Sequence, residues 1–148
     1  MPIPDLNTHG LLPTGVHDCT IPEIETSFGW NSHRVRLLEN FKDFLRNEID
    51  GKFSCPLYFD GSFVTDKDQP DDIDVVLELS GVTDSLKYQG LVFMQQHQSR
   101  LMKDYRVHFW INLPGNNDFC SFFQYIGAKT AKFKGLHPRF LKGILRLL

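Results

Sequence analysis

"FDGSFVTDKDQPDDIDVVLEL", residues 59–79, decides the fold of this chain. It closes on Ile73, Asp74, Val75, Val76, Leu77, Glu78 and Leu79. This aliphatic, β-branched run is entered from the turn-rich Gln69-Pro70-Asp71, and it predicts a strand over 73–79. Leu57, Tyr58 and Phe59 predict a preceding strand, about 55–60, that stops at Asp60-Gly61-Ser62. Side chains two apart share a strand face, so Asp72 and Asp74 point the same way. Like charges at that spacing repel unless a cation lies between them, and carboxylate oxygens suit Mg²⁺ or Mn²⁺. A glycine at a strand end lets the backbone approach a ligand closely. Successive N–H groups there, with the Ser62 hydroxyl, form a concavity for an anion. A phosphate cradle at Gly61 and Ser62, followed by a carboxylate pair, is one reading. A solvated acidic turn running into an edge strand is the other. Lys67, the one base within the acidic spacer, either touches a triphosphate or offsets Asp66 and Asp68.

Outward from this stretch, Thr20-Ile21-Pro22-Glu23 is a capping box with proline in the first turn, which predicts a helix to about Phe28. Leu37, Leu38, Phe41, Phe44 and Leu45 form a helical stripe within 32–49, ended by Asp50-Gly51. Asp84 is the expected cap for a helix over about 85–101. "YRVHFWINL", residues 105–113, alternates and reads as a third strand. A turn at 114–117 leads to a helix capped by Asn117 or Asp118 and running to about Gly127. Pro138 opens a last helix over 139–147. Residues 1–19, punctuated by proline and glycine, read as an extended arm. The order of elements predicts a single α/β (α+β) domain over 1–148, a small mixed sheet flanked by helices.

Thirteen phenylalanines among 148 residues supply a core, and the net charge of −2 creates no global field for nucleic acid. Charge is uneven, however. From Lys129 to the end there are six lysines and arginines and no acid, which is either a phosphate or RNA surface or a solvated helix face. Cys19, Cys55 and Cys120 have neither disulfide-framework nor zinc spacing and fit free thiols in a reducing compartment. The N-terminal residues lack the features of a secretion signal, and no apolar run is of spanning length. A cytoplasmic protein with no membrane partner is the expectation.

Gly61-Ser62, a nine-residue spacer and Asp72-Ile73-Asp74-Val75 resemble the signature of the DNA polymerase beta-like nucleotidyltransferase superfamily. Asp60, before Gly61, departs slightly from that pattern. "GLLPTGVHDCT" (10–20), "DGSFVTDKDQPDDIDVVLEL" (60–79), "FWINLPGNNDFCSFFQY" (109–125) and "LKGILRL" (141–147) resemble landmarks of a family of small bacterial proteins within it. The resemblance implies a minimal nucleotidyltransferase. A nucleoside triphosphate would lie against Gly61 and Ser62, with Mg²⁺ (or Mn²⁺) on Asp72 and Asp74, and an RNA, protein or small-molecule hydroxyl as acceptor. It also implies a toxin–antitoxin or phage-defence setting.

The superfamily carries a third catalytic carboxylate on a later strand, and the matching position here is His108. His108 is then a general base, the mark of a degenerate site kept as a nucleotide-binding or protein-interaction module, an introduced substitution, or a packing residue. A carboxylate-metal nuclease or phosphatase is a further alternative, with Glu78 as its one additional acid nearby.

Overall fold

A computed structural model describes residues 3–79, 81–113 and 125–148. Its architecture is α+β: one five-stranded mixed sheet with four α-helices among the described residues. The strands are β1 (Val16–Cys19), β2 (Leu57–Asp60), β3 (Ile73–Glu78), β4 (Val107–Asn112) and β5 (Ile144–Leu147). The helices are α1 (Ile21–Phe28), α2 (Ser32–Phe44), α3 (Asp84–Tyr105) and α4 (Gly127–Lys134). The sheet order is β1-β5-β2-β3-β4, with β1/β5 and β3/β4 parallel and β5/β2 and β2/β3 antiparallel.

Strand alternation divides the sheet into two faces. Phe59, Ile73, Val75, Leu77, Val107, Phe109 and Leu145 pack with residues of α1, α2 and α3, among them Phe28, Phe41, Phe44 and Phe93. The alternate positions, Asp60, Asp74, His108 and Trp110, lie on the opposite face. The acidic strand positions are therefore kept out of the aromatic core by period alone.

The capping box forms as expected. The Thr20 N–H donates to Glu23 Oε1 at 3.0 Å, and the Glu23 N–H donates to Thr20 Oγ1 at 3.4 Å. The helix expected over 32–49 is α-helical to Phe44 and widens into a π-helical turn over Leu45–Ile49, closed by the Asp50 N–H on Leu45 O at 2.8 Å. Thr83, rather than Asp84, caps α3, its Oγ1 accepting from the Leu86 N–H. That helix runs on to Tyr105 and stops where Arg106 turns left-handed at φ 57°.

Two expectations are corrected. Residues 139–147 do not form a helix; the segment ends in β5, which pairs with both β1 and β2. Gly143 has no room for a side chain there, since a Cβ would overlap the Pro13 carbonyl. Its N–H donates to Leu12 O at 3.0 Å. A short apolar run such as Ile144–Leu147 fits strand or helix equally by pattern, and tertiary pairing decides. The arm over 1–19 is likewise more than an extended lead: it supplies β1 and buries Leu11 and Leu12 completely. The helix expected from Asn117 or Asp118 falls mostly outside the described residues; α4 follows it.

Candidate functional site

The two strands read first bring the site together. β2 and β3 pair antiparallel with Asp60 directly opposite Asp74, and β3 and β4 pair parallel with Asp74 beside His108. Asp60, Asp74 and His108 thus form one row across three strands. Two carboxylates facing each other across a sheet repel, and each has a nitrogen partner on its outer side, a lysine for Asp60 and a histidine for Asp74. Asp60, only 1% exposed, is in direct contact with the ammonium of Lys142, which is equally buried. Asp74 Oδ1 lies 3.2 Å from His108 Nδ1. Burial pulls the Lys142 ammonium down, to about 7, while the touching Asp60 carboxylate acts in the opposite direction. The hydrogen bond that the His108 ring donates to Asp74 raises the pKa of His108 above the ordinary imidazole value, against the effect of burial.

Gly61 adopts φ 78°, ψ −165°, a conformation suited to glycine. A Cβ at this position would overlap Asp74 Oδ2. The glycine is therefore needed to admit the Asp74 carboxylate. That carboxylate turns one oxygen to His108 and the other to Gly61. Ser62 opens a 3₁₀ turn over Ser62–Val64, and its carbonyl accepts from the Thr65 hydroxyl at 2.7 Å.

The loop between β2 and β3 is tied to the start of α2. Arg34 is fully buried and donates to the carbonyls of Phe28 (3.2 Å), Phe63 (2.7 Å), Thr65 (2.8 Å) and Lys67 (3.1 Å). Its guanidinium also lies 3.7 Å from the centre of the Trp30 ring. Burial lowers the pKa of this guanidinium to about 10. Asp68 accepts from Trp30 Nε1 and Asn31 Nδ2, each at 3.3 Å, and Asp66 pairs with Lys134 at 2.7 Å. Two of the loop's carboxylates are thus structural ties. Asp72 is different. Burial, then the charge of Asp74, raises its pKa.

Asp72 and Asp74 fit a hard divalent cation, because bound charge would relieve a repulsion that burial intensifies. Among the described residues no three His, Cys, Asp or Glu side chains cluster as a protein-only metal cage. The pair suits an ion such as Mg²⁺, which is commonly held by one or two carboxylates together with substrate phosphates. Glu78 lies four residues along β3 from Asp74, about 13 Å in an extended strand. There it accepts from Asn112 Nδ2 at 2.7 Å, so Glu78, the additional acid singled out for a nuclease site, is not at the pair.

Ser62, Lys67, Asp71 and Asp72 line one side of a cleft of about 570 Å³, and Lys129, Lys132, Phe133 and Lys134 of α4 line the other. Of the residues singled out in the sequence, Asp72, Asp74, His108, Gly61 and Ser62 come together. Lys67 lies on the cleft without an ion pair to Asp66 or Asp68. Sequence reasoning missed Lys142, because its segment was read as helix. It treated Asp60 as a departure from a motif, although a carboxylate ending a buried strand signals a buried partner. It did not single out Arg34, whose place one helical turn before Leu37 and Leu38, on the apolar stripe, was the available sign.

The family described as a family of unknown function, DUF6932, matches residues 4–147. The chain belongs to DUF6932. No curated protein and no solved structure matches it. Membership of DUF6932 spans every element described above, from the arm to β5. Among the described residues, no helix is long and apolar enough to cross a membrane.

Proposed function

We propose that this protein is a metal-dependent nucleotidyltransferase, the activity implied by the motif it resembles. The observation that carries the reading is the Asp74 carboxylate, which joins Gly61 to His108 and acts on Asp72, itself part of the cleft wall. In this reading the phosphates of a nucleoside triphosphate lie against Gly61 and Ser62, within reach of Lys67. Asp72 and Asp74 hold Mg²⁺ or Mn²⁺, which when bound would neutralise charge around the reacting phosphate. The bond from His108 Nδ1 to a carboxylate selects the Nδ1–H tautomer and leaves Nε2 as the proton acceptor. The acceptor hydroxyl oxygen forms a bond to the α-phosphorus and its proton passes to Nε2. The bridging Pα–O bond breaks, and its electron pair leaves on pyrophosphate.

One observation favours a second reading, a nucleotide-binding or protein-interaction module without catalysis: Asp60 already has an internal lysine partner and Asp74 an internal histidine partner. A single assay separates the two. The protein is incubated with nucleoside triphosphates labelled at the α-phosphorus, with Mg²⁺ or Mn²⁺, and with cellular RNA, protein and small molecules as acceptors. Transfer requires covalent label on an acceptor, dependent on the metal and lost in Asp74→Asn. Nucleotide binding without transfer selects the module, and the absence of both overturns both readings.

A further inference from the structure

One wall of the cleft is not used by the reading above. Helix α4 is "GAKTAKFK", with three lysines and no acid. Its inner side is anchored: Ala131 is 2% exposed and packs with Leu11 and Ile126, and Lys134 is held by Asp66. Lys129, Lys132 and Phe133 fall at i, i+3 and i+4, so they share one helix face. All three are exposed, Phe133 to 87%, and all three line the cleft opposite Ser62 and Asp72. Among the described residues neither Lys129 nor Lys132 forms an ion pair. A large apolar ring left in water beside two such cations buries little in the fold. This combination suits a flexible anionic chain with flat, stackable groups: the ring takes a base by its face and the ammonium groups take the flanking phosphates. A folded acidic protein would satisfy the lysines but would give no reason for a lone exposed ring facing a cleft.

We infer that the α4 face built from Lys129, Lys132 and Phe133 binds single-stranded nucleic acid and presents its end to the Gly61–Asp74 site. The inference rests on the nucleotidyltransferase reading for the role of that end, and it deepens that reading by naming the acceptor as a polynucleotide. The net charge of −2 confines binding to this local face, so affinity is modest and falls with salt.

The test uses the full chain and a fluorescein-labelled single-stranded adenine 12-mer, as RNA and as DNA, followed by fluorescence anisotropy at several salt concentrations. Poly-glutamate, labelled in the same way, supplies negative charge without bases. The parent is expected to bind the oligonucleotide and not poly-glutamate. Phe133→Ala is expected to weaken binding about tenfold. Lys129→Gln with Lys132→Gln is expected to weaken it further and to lower the salt slope by roughly 0.7 per lysine. All three side chains are exposed, so circular dichroism should be unchanged. Binding of RNA alone assigns the acceptor as RNA; equal binding of both supports a surface that reads backbone and base faces. No oligonucleotide binding, or equal binding of poly-glutamate, overturns the inference. Calorimetry with Mg²⁺ and ATP on the same variants separates the two claims. ATP affinity is expected to survive the α4 substitutions, and its loss in Phe133→Ala would assign the ring to the triphosphate instead. A parent that binds RNA but no nucleoside triphosphate leaves the α4 surface standing and removes the nucleotidyltransferase reading.

Discussion

Asp74 is the residue on which the site turns, because its two oxygens face different partners, His108 and the Gly61 backbone. His108 owes its raised pKa first to that carboxylate. An NMR titration should therefore find its imidazole titrating above the ordinary histidine value in the parent and falling in Asp74→Asn. An unchanged His108 titration in that variant would mean the two side chains do not interact in solution. Ser62→Ala removes one hydroxyl beside the cradle. It is expected to weaken nucleotide binding by roughly one hydrogen bond, about 1 kcal/mol, as measured by calorimetry. Gly61→Val is a poorer probe of phosphate contact, since the added side chain displaces Asp74 itself. Lys142 belongs to the same scale. Lys142→Met leaves Asp60 buried without a counter-charge and is expected to destabilise the fold by about 3–5 kcal/mol in urea unfolding. Replacing both members, Lys142→Met with Asp60→Leu, should recover much of that loss. A single variant as stable as the parent would deny the ion pair any structural role.

At the scale of elements, the loop from Ser62 to Asp72 is positioned from outside itself. Arg34 gathers carbonyls from Phe28, Phe63, Thr65 and Lys67, and the helix that carries it is capped by Asn31 through the Arg34 N–H at 2.8 Å. Arg34→Met removes the donors while keeping most of the stem. Faster amide exchange across 63–70 is expected, together with weaker nucleotide binding; exchange confined to α2 would show that the loop holds itself. This scale also separates what was legible in the sequence from what was not. β2 and β3 were legible as short apolar runs bounded by turn residues, and β4 by its alternation of aromatic and β-branched with polar residues. Helix α1 was legible because a capping box is a local device. β5 was not, because Ile144–Leu147 becomes a strand only by pairing with β1 and β2. β1 was lost with it, being a four-residue edge strand whose sole partner is β5. The Lys142–Asp60 contact spans 82 positions and has no local signal at all. The glycine, serine and aspartates were visible because their spacing lies within one strand–loop–strand unit.

For the whole molecule, one ion pair ties the long helix to the end of the α2 segment. Glu48, 8% exposed, accepts from Arg100 at 2.8 and 3.1 Å and from the Tyr105 hydroxyl at 2.8 Å. These bonds, led by Arg100, hold its carboxyl down to about 2, well below the usual glutamate value. A depressed carboxylate contributes stability that is present above the unfolded pKa and lost as pH falls towards the folded one. Stability is therefore expected to decline between about pH 4.5 and pH 2 by on the order of 2 kcal/mol from this group. Glu48→Gln should flatten that part of the profile, and an identical acid limb in parent and variant would remove the claim. The same molecule-wide view gives the site its setting. Helices α1, α2 and α3 cover one sheet face, the charged row occupies the other, and α4 stands across the cleft from Ser62 and Asp72.

The claim that Asp72 and Asp74 bind nucleotide through a shared divalent cation meets its most direct test in calorimetric titration. A nucleoside triphosphate is titrated into the parent, Asp72→Asn and Asp74→Asn, each with Mg²⁺ and with a chelator. Affinity in the parent is expected to require the metal. Each substitution is expected to lower that metal-dependent affinity at least about tenfold, or 1.4 kcal/mol, with the fold intact by circular dichroism. Binding that is indifferent to Mg²⁺, or unchanged in both variants, would contradict the account.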